Sequence, residues 1–336
     1  MENGIITIAH GGGGTRTQQL INDIIRKHLS NPILDQLDDS ASLEVPETAL
    51  AFTTDSYVVN PLFFPGGDIG ILAVCGTVND LVMQGAEPKY LSLGLILEEG
   101  FAVADLERII QSTAAILKKT DVTLATGDTK VVERGKGNGV FINTSGIGIR
   151  NPAVNVHVSN ARAGDVIIVT GTVGDHGIAV MSQREGLQFQ TSLRSDVAPL
   201  DGLILPLVRE IPSLHVLRDP TRGGVAAALC DIAGASQVGI TIREKAVPVK
   251  KEVVGACNLL GFDPLHVANE GKAIVVCAQQ DTDRVLALLH THTFGKDAAV
   301  IGSVVSAHPG TVIEETAIGG ERIVEMTTGE DLPRIC

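Results

Sequence analysis

The chain has no tryptophan, and only 3% of its 336 residues are aromatic. Proteins that stack nucleic-acid bases depend on exposed aromatic rings, so this composition argues against a base-stacking surface. Positive charge is also scarce, because 26 Lys and Arg stand against 39 Asp and Glu, a formal net charge of −13 at pH 7. Nucleic-acid binding needs concentrated positive charge. We therefore expect no nucleic-acid partner.

Long hydrophobic runs are absent as well, since none approaches the roughly 20 residues of a membrane span. The opening residues Met-Glu-Asn-Gly lack the charged and apolar regions of a signal peptide. We expect a cytoplasmic protein with no membrane partner. The sequence is 44% hydrophobic, enough for a large core. Its length favours two domains, because single cores stop growing near about 250–300 residues.

Cysteine pairs with the spacing of a zinc site or a redox motif are also missing among the five cysteines. Four cysteines stand in apolar segments and are predicted to be buried, reduced thiols: Cys75, Cys230, Cys257 and Cys277. Cys336 differs, because it is the last residue of the sequence and follows Pro333, which favours an extended chain. We expect residues 327–336 to form a mobile tail with a reachable thiol.

What is present is an alternation of strand-like and helical patterns, which predicts an α/β protein. We place an N-terminal domain at residues 1–152 and a C-terminal α/β domain at 153–326, with a boundary at Arg150-Asn151-Pro152. The predicted strands are 5–9, 50–54, 91–97, 122–126, 140–149, 165–170, 239–242, 272–278, 299–304 and 313–326. The predicted helices are one beginning near Thr15 or Thr17, then 70–84, 104–118, 176–184, 201–210, 224–233, 252–260 and 283–290.

Carboxylates recur where the predicted strands and helices of the first domain end. They are Asp38, Asp39, Asp55, Asp80 and Asp128. Carboxylates brought together repel one another, and a divalent cation removes that penalty. Mg²⁺ bridges a few carboxylates to phosphate oxygens. Alternatively, each Asp caps a helix or closes a turn.

Asp80 and its neighbour Asn79 stand inside an otherwise apolar helix, where an unpaired carboxylate is costly. A glycine run precedes the first predicted helix: Gly11, Gly12, Gly13 and Gly14. Free N–H groups at a helix N-terminus attract anions, although the P-loop motif is absent and a flexible linker is the alternative. The glycines and the carboxylates together predict phosphate binding.

Two further segments carry candidate charges. The residues 219–224 (DPTRGG) precede a helix and predict either a second anion-binding N-terminus or a plain helix cap. Glu270, just before a predicted strand, is a candidate general base, and Lys130 a candidate electrostatic partner. The alternative for both is an ordinary solvated charge.

These segments resemble one family along nearly the whole chain. The motifs HGGGG, FTTDSYVVNPLFFPGGDIG, VNDLVMQGA, TGDTKVV, GTVGDHG, RDPTRGG, ANEGK, GKDAA and PRIC are similar to those of hydrogenase maturation factor E, the carbamoyl dehydratases. That family lies in the ATP-binding superfamily typified by aminoimidazole ribonucleotide synthetase. The long first-domain motifs and PRIC are specific in combination, whereas the glycine run and GDT are shared across the superfamily.

The resemblance implies two α/β domains of the superfamily fold and a homodimer whose N-terminal domains pair their sheets. ATP and Mg²⁺ would lie in the cleft, held by Gly11–Gly14, Asn79 and the carboxylates named above. A partner carbamoyltransferase would load Cys336, with Glu270 as base and Lys130 beside the reacting group. The S-cyanated product would supply cyanide to the iron centre of a nickel-iron hydrogenase, through iron-carrying scaffold proteins.

Three other functions remain as alternatives. Selenophosphate synthetase handles ATP similarly but carries a reactive Cys or selenocysteine near the glycine run, whereas the first cysteine here is Cys75. A kinase such as thiamine phosphate kinase has no use for PRIC. A non-catalytic scaffold with a docking tail leaves the Asp and Gly motifs unexplained.

Overall fold

The structure, a computed structural model, describes residues 14–20, 22, 41–45, 48–184 and 193–327. Several predicted features lie outside these residues: the strand at 5–9, Gly11, Gly12, Gly13, Asp38, Asp39 and Cys336. Within the described ranges no helix is long and apolar enough to cross a membrane.

The first half of the chain builds one mixed sheet, two helices that cover it and one short helix that contacts the second half of the chain. Its elements are α1 (Thr15–Leu20), β1 (Ala41–Val45), β2 (Thr48–Tyr57), β3 (Phe63–Phe64), β4 (Gly67–Asp68), α2 (Ile69–Met83), β5 (Ala86–Glu98), α3 (Val103–Thr120), β6 (Thr123–Val132) and β7 (Val140–Arg150). The strand order is β1-β2-β7-β5-β6, with β3 and β4 forming a separate two-stranded hairpin.

Helices cover only one face of this first sheet. Burial alternates along β7, where Ile142 and Thr144 are buried and Asn143 and Ile147 are exposed. Such alternation is typical of a sheet with one packed face. The packed face lies against α2, which begins at its N-cap Asp68, whose carboxylate accepts the backbone N–H groups of Gly70 and Ile71. The opposite face, called here the outer face, carries no helix among the described residues.

The second half builds a sheet with helices on both faces. Its elements are β8 (Asp165–Val169), α4 (Asp175–Arg184), α5 (Asp201–Glu210), β9 (Leu214–Arg218), α6 (Gly224–Ser236), β10 (Gly239–Arg243), α7 (Lys251–Leu260), β11 (Ile274–Ala278), α8 (Thr282–His290), β12 (Ala299–Val305), β13 (Val312–Glu315) and β14 (Glu321–Val324). The strand order is β14-β13-β10-β12-β8-β11-β9, and short 3₁₀ turns occur at Glu244–Ala246, Pro264–His266, Gln279–Asp281 and Thr293–Gly295.

One hydrophobic cluster joins the two halves. Val74, Val78 and Val82 of α2 pack with Leu200 and Ile204 at the start of α5. The apolar sequence of α2 therefore reflects burial between its own sheet and the second domain, since a helix hydrophobic all round is a buried one. This packing holds the two domains face to face along a seam.

Most predicted elements are present, and the differences are local. The structure adds strand β1, the β3–β4 hairpin and strand β9, which were not predicted, and it divides the predicted strand 313–326 into the hairpin β13–β14. The predicted strand 50–54 extends to Tyr57, and the strand 122–126 extends to Val132. Asp55 and Asp128 were predicted to follow strands. They lie inside strands β2 and β6 instead.

Candidate active site

Charged side chains from both domains meet at the seam. Arg222, in the loop between β9 and α6, places Nη2 3.6 Å from Oδ1 of Asp55 on β2. Thr53, two residues before Asp55, donates a hydrogen bond of 2.8 Å to Oδ2 of Asp80 on α2. These contacts bring the DPTRGG loop of the second domain onto the two acidic positions of the first.

The pKa of Tyr57 shows which carboxylates converge. Burial raises the pKa of this phenol well above its ordinary value, and the negative charges of Asp55, Asp80 and Glu270 raise it further. Three carboxylates from three separate segments therefore act on one buried hydroxyl. Together with Asp219 and Arg222, they form what we call the acidic cleft.

Glu270 is the most deeply placed group of the acidic cleft. Its residue is 4% exposed, and no hydrogen bond to its carboxylate is present among the described residues. Burial raises its pKa well above the ordinary value, and the charges of Asp219, Asp55 and Asp196 add to that effect, while Arg222 opposes it. A carboxyl group in this state takes up and holds a proton more readily than an exposed one.

Asp219 is a second perturbed carboxyl group in the acidic cleft. Its pKa rises from 3.8 to about 6, first because the group is buried and then because Asp55 repels its charge, against the opposing effects of Arg218 and Arg222. The structure thus concentrates carboxyl groups at one place, and the nearby arginines offset only part of the rise in pKa. That pattern is typical of functional sites.

Asn79 lies beside the acidic cleft, and its side chain forms hydrogen bonds across the seam. Its Nδ2 donates to the carbonyl oxygens of Ala198 at 3.1 Å and Glu270 at 3.3 Å. Its Oδ1 accepts the N–H of Leu200 at 2.8 Å. Asn79 therefore ties α2 to two segments of the second domain, and its amide group is already engaged.

Asp128 and Lys130 do not join the acidic cleft of their own chain. Asp55 aligns across the sheet with Thr144, Leu93 and Gly127, a row on the helix-covered face. Asp128 aligns with Gly94, Asn143 and Ser56 on the outer face, and Lys130 aligns with the exposed Ile96. Three strand spacings, roughly 14 Å, also separate β2 from β6.

The predicted metal ligands that the structure describes, Asp55, Asp80 and Asp128, do not assemble into one cluster. Within the residues that the structure describes, no group of three or more His, Cys, Asp or Glu side chains is arranged to hold a metal ion. Asp55 and Asp80 lie at the acidic cleft, Asp128 lies on the outer face, and Asp38 and Asp39 fall outside the described residues.

Gly14, the one described glycine of the run, packs against the root of the tail. A Cβ at this position would lie 1.9 Å from the carbonyl oxygen of Thr327, so a larger residue does not fit. The same carbonyl accepts the N–H of Thr15 at 2.9 Å. Gln18 also donates to Asp231 on α6 at 3.3 Å. Helix α1 therefore contacts the second domain. Its first N–H group, that of Thr15, is already bonded to the carbonyl oxygen of Thr327.

The four cysteines of the described residues are all free. Cys75, Cys257 and Cys277 are buried, as predicted, whereas Cys230 is half-buried and donates to the carbonyl of Val324. Burial raises the pKa of Cys230 and Cys257 to about 11 and of Cys277 to about 12, and it raises the pKa of Cys75 as well. Such thiols are poor nucleophiles at neutral pH.

Sequence reasoning did not identify three charges that the structure brings to Glu270. Asp219 and Arg222 were recognised only as part of a possible anion-binding helix start, although their loop is one of the resemblance motifs. Asp196 was not singled out at all. No local signal marks it, because its role depends on contacts with residues 74 positions further along the chain.

The chain matches known proteins over both domains. The AIR synthase related N-terminal domain matches residues 37–150, and the AIR synthase related C-terminal domain matches residues 162–314. The carbamoyl dehydratase HypE of Rhizobium leguminosarum bv. viciae is 50% identical over 335 residues, which cover 99% of this chain and 96% of that protein.

Two solved structures are also similar. A hydrogenase maturation protein HypE in complex with ATP is 47% identical, with a TM-score of 0.84 over 97% of this chain and 98% of that one. The HypE–HypF complex contains a chain 47% identical, with a TM-score of 0.87 over 92% of this chain and 99% of that one. The predicted fold class is thereby confirmed. Since both domain models and a full-length relative agree, the chain belongs to the carbamoyl dehydratase family of hydrogenase maturation enzymes, among the AIR synthase related proteins.

Proposed function

We propose that this enzyme uses ATP to dehydrate an S-carbamoyl group on its own Cys336, leaving an S-cyanated cysteine. The observation that carries the proposal is Glu270, a buried carboxylate with a raised pKa and no hydrogen bond among the described residues. It is a group suited to removing protons from a substrate brought into the acidic cleft. The cyanide is destined for the iron centre of a nickel-iron hydrogenase, through iron-carrying scaffold proteins.

The chemistry accounts for the need for both ATP and a base. The carbamoyl oxygen is a poor leaving group, and transfer of the γ-phosphoryl group of ATP to that oxygen makes it a good one. Loss of both nitrogen protons and departure of phosphate then leave a C≡N bond, with ADP and phosphate as the other products. Glu270 accepts one of the two protons in this second stage, its raised pKa favours holding it, and the departing phosphate carries the other.

The acidic cleft fits a nucleotide that arrives with a divalent cation. Mg²⁺ usually takes one or two carboxylates and completes its shell with phosphate oxygens and water, so a full protein cluster is not required. Asp55 and Asp80 are the carboxylates that would hold it, and the ion would neutralise charge on the transferring phosphoryl group. Arg222, 3.6 Å from Asp55, would contact phosphate. The relative solved with ATP supports this assignment.

The outer face of the first sheet supports a homodimer. Its exposed apolar side chains include Phe52, Tyr90, Ile147 and Ile149. Phe52, Ile147 and Tyr90 align in one row across β2, β7 and β5, so they form a continuous strip. Large exposed apolar patches mark interaction surfaces. A second copy of the same sheet, placed face to face, would bury this strip on both sides.

A dimer would also bring Lys130 to a reaction site. Lys130 is exposed on the outer face, whereas Glu270 is buried at the seam on the other side of the sheet. One chain therefore does not present both residues to the same substrate. We assign Lys130 and Asp128 to the cleft of the partner subunit, where Lys130 would stabilise the reacting carbamoyl group.

The root of the tail is held near the acidic cleft. His266, four residues before Glu270, contacts the carbonyl oxygen of Glu325 through Nε2 at 2.9 Å, and Thr327 is held by Thr15. Nine residues follow Thr327. Since an extended chain spans at most about 3.3–3.6 Å per residue, they reach roughly 30–32 Å. That length would let Cys336 serve both the cleft and a loading partner in the cytoplasm.

The loading partner would be a carbamoyltransferase, which the HypE relative solved together with HypF supports. The direct test is the mass of the C-terminal peptide after incubation with the carbamoyltransferase, carbamoyl phosphate and Mg-ATP. We expect a carbamoyl adduct without ATP and a cyano adduct with it. Adduct formation in Cys336→Ala, or on Cys230 in the intact chain, would contradict the carrier role.

Mixing two inactive variants tests the shared site. Lys130→Ala and Glu270→Gln should each stop cyanation while still binding ATP. A heterodimer of the two would contain one cleft with both native residues and one with neither. We expect such mixtures to regain activity after subunit exchange, whereas two variants at the same position, Glu270→Gln and Glu270→Ala, should not. Failure to regain activity would place Lys130 outside the site.

A further inference from the structure

Three consecutive residues of the Glu270 loop converge on one carboxylate. The backbone N–H of Glu270 donates to Oδ1 of Asp196 at 3.2 Å, and that of Gly271 donates to Oδ2 at 3.4 Å. The ammonium group of Lys272 lies 3.2 Å from Oδ2. The side chain of Asp196 is 3% exposed and that of Lys272 is 9% exposed. The Asp196 carboxylate thus accepts the two backbone N–H groups that flank the Cα atom of Glu270.

The fit between these two segments leaves no slack. A Cβ at Gly271 would lie 1.9 Å from the carbonyl oxygen of Asp196, so the loop passes directly against the Asp196 backbone. A Cβ at Gly171 would lie 2.8 Å from Cε of Lys272, which closes the other side of the lysine stem. Charge-assisted hydrogen bonds to backbone N–H groups are stronger than neutral ones. A rotation of the Glu270 peptide would break both hydrogen bonds to Asp196 together.

The segment around Asp196 is in turn tied to the first domain. The N–H of Ser195 donates to the carbonyl oxygen of Pro65, in the β3–β4 hairpin, at 2.7 Å. Oγ of Ser195 contacts Nδ1 of the buried His176 at 2.8 Å. Asp196 therefore stands between the first-domain hairpin and the Glu270 loop, and it transmits the position of one to the other.

We propose that Asp196 is a positioning residue for the dehydration step: it fixes the peptide of Glu270 so that the Glu270 carboxylate faces the carbamoyl group. This inference rests on the proposed function. Asp196 does not touch substrate. It acts by holding the base at one angle and one distance, where a misplacement of about 1 Å is enough to lower a rate by 10²-fold.

The charge of Asp196 gives the same residue a second effect on Glu270. Burial alone would raise the pKa of Asp196, but Lys272, His176 and the N–H of Glu270 bring it below the ordinary value, so Asp196 is ionised. Its negative charge then raises the pKa of Glu270, as Asp219 and Asp55 also do, and Arg222 opposes them. Loss of the Asp196 charge should move the acid limb of the activity profile to lower pH.

The test pairs two variants of the full-length dimer. Asp196→Asn leaves Lys272 as an unpaired buried cation, so the double variant Asp196→Asn with Lys272→Met removes both charges. The control is Asp165→Asn with His215→Gln, which removes a partly buried pair, with Nδ1 and Oδ2 2.7 Å apart. Asp165 aligns with Ala278 at the far end of β11, away from Glu270.

Cyanation of Cys336, Mg-ATP affinity and the pH profile of cyanation are measured for each protein. For the Asp196 double variant we expect ATP affinity within about twofold and cyanation lower on the order of 10- to 100-fold. Asp196→Asn alone keeps the Lys272 charge, and it should move the acid limb to lower pH. The control should keep the native rate and limb. A native rate in the double variant would overturn the positioning role, as would an equal loss of ATP affinity. A wild-type protein that forms no cyano adduct would instead fail the proposed function.

Discussion

The two sheets of this enzyme are covered differently. The second sheet has hydrophobic clusters on both faces: Ile168 and Val275 pack with α5 and α8, while Ile167 and Val276 pack with α6. Among the residues that the structure describes, the first sheet is covered on one face only. Its strands alternate buried and exposed residues, and exposed positions such as Ile147 are apolar. A sheet with two packed faces buries its apolar side chains within its own chain and needs no partner to cover them.

The contrast assigns a different task to each sheet. The second sheet supplies the rigid frame on which the Glu270 loop is held, since the loop leads directly into β11. The first sheet keeps a strip of apolar surface for a second copy of the chain, and it carries Asp128 and Lys130 on that side. Two matched substitutions separate these tasks.

The largest effect is expected from a charge inside the second sheet. Ile168 is completely buried. Ile168→Asp should lower the free energy of unfolding by more than about 4 kcal/mol, because an unpaired carboxylate is placed in an apolar core. Urea unfolding followed by circular dichroism measures this change. Ile168→Val is the control and should lose about 1 kcal/mol. A stable Ile168→Asp protein would contradict the double coverage of this sheet.

The same change on the outer face should leave the fold intact and break the assembly. Ile147→Asp places its charge at a half-exposed position, so the chain should lose less than about 1 kcal/mol. Light scattering should give a monomer, and cyanation should fall with dimer loss because Lys130 no longer reaches the partner cleft.

The matched control is Ile318→Asp, at an isoleucine that is 96% exposed in the β13–β14 turn. It should keep the native mass and the native rate. A dimeric Ile147→Asp protein would show that the apolar strip of the first sheet is not the dimer interface.

At the seam between the sheets, Asp219 links folding to pH, and its effect stays below that of a charge in the core of the second sheet. Its folded pKa of about 6 exceeds the ordinary 3.8. The folded chain therefore holds this proton more tightly between about pH 4 and 6, and the free energy of unfolding falls as pH rises through that window. A difference of about two pKa units corresponds to about 3 kcal/mol, present below the window and lost above it.

Asp219→Asn removes that contribution. Glu270 adds a slope in the same direction, because its pKa is also raised. The variant should therefore show a weaker pH dependence, not a flat one, in urea midpoints measured from pH 4 to 7. An identical slope in wild type and variant would mean that the Asp219 carboxyl is not perturbed by the cleft.

Local pattern was a good guide to elements and a poor guide to their ends. The apolar run of α2 predicted residues 70–84, and the helix occupies Ile69–Met83. The predicted strand 50–54 ended at Asp55, yet β2 continues to Tyr57 because its backbone pairs with β7 whatever the side chains are. Strand β9 was missed because its five residues include His215 and Arg218, which interrupt the apolar signal.

The sequence by itself determined the fold class, the family and the kinds of chemical group available, because these follow from hydrophobic period and from motifs of contiguous residues. Glu270 was one candidate charge among several, and only the resemblance of ANEGK to the family motif gave it the role of base. Only the tertiary structure decided which charges act together. Strand register put Asp55 and Asp128 on opposite faces, burial at the seam raised the pKa of Glu270, and Asp196 reached its loop from 74 residues away. Register, burial and long-range contact are properties of the folded chain, and no local pattern of residues encodes them.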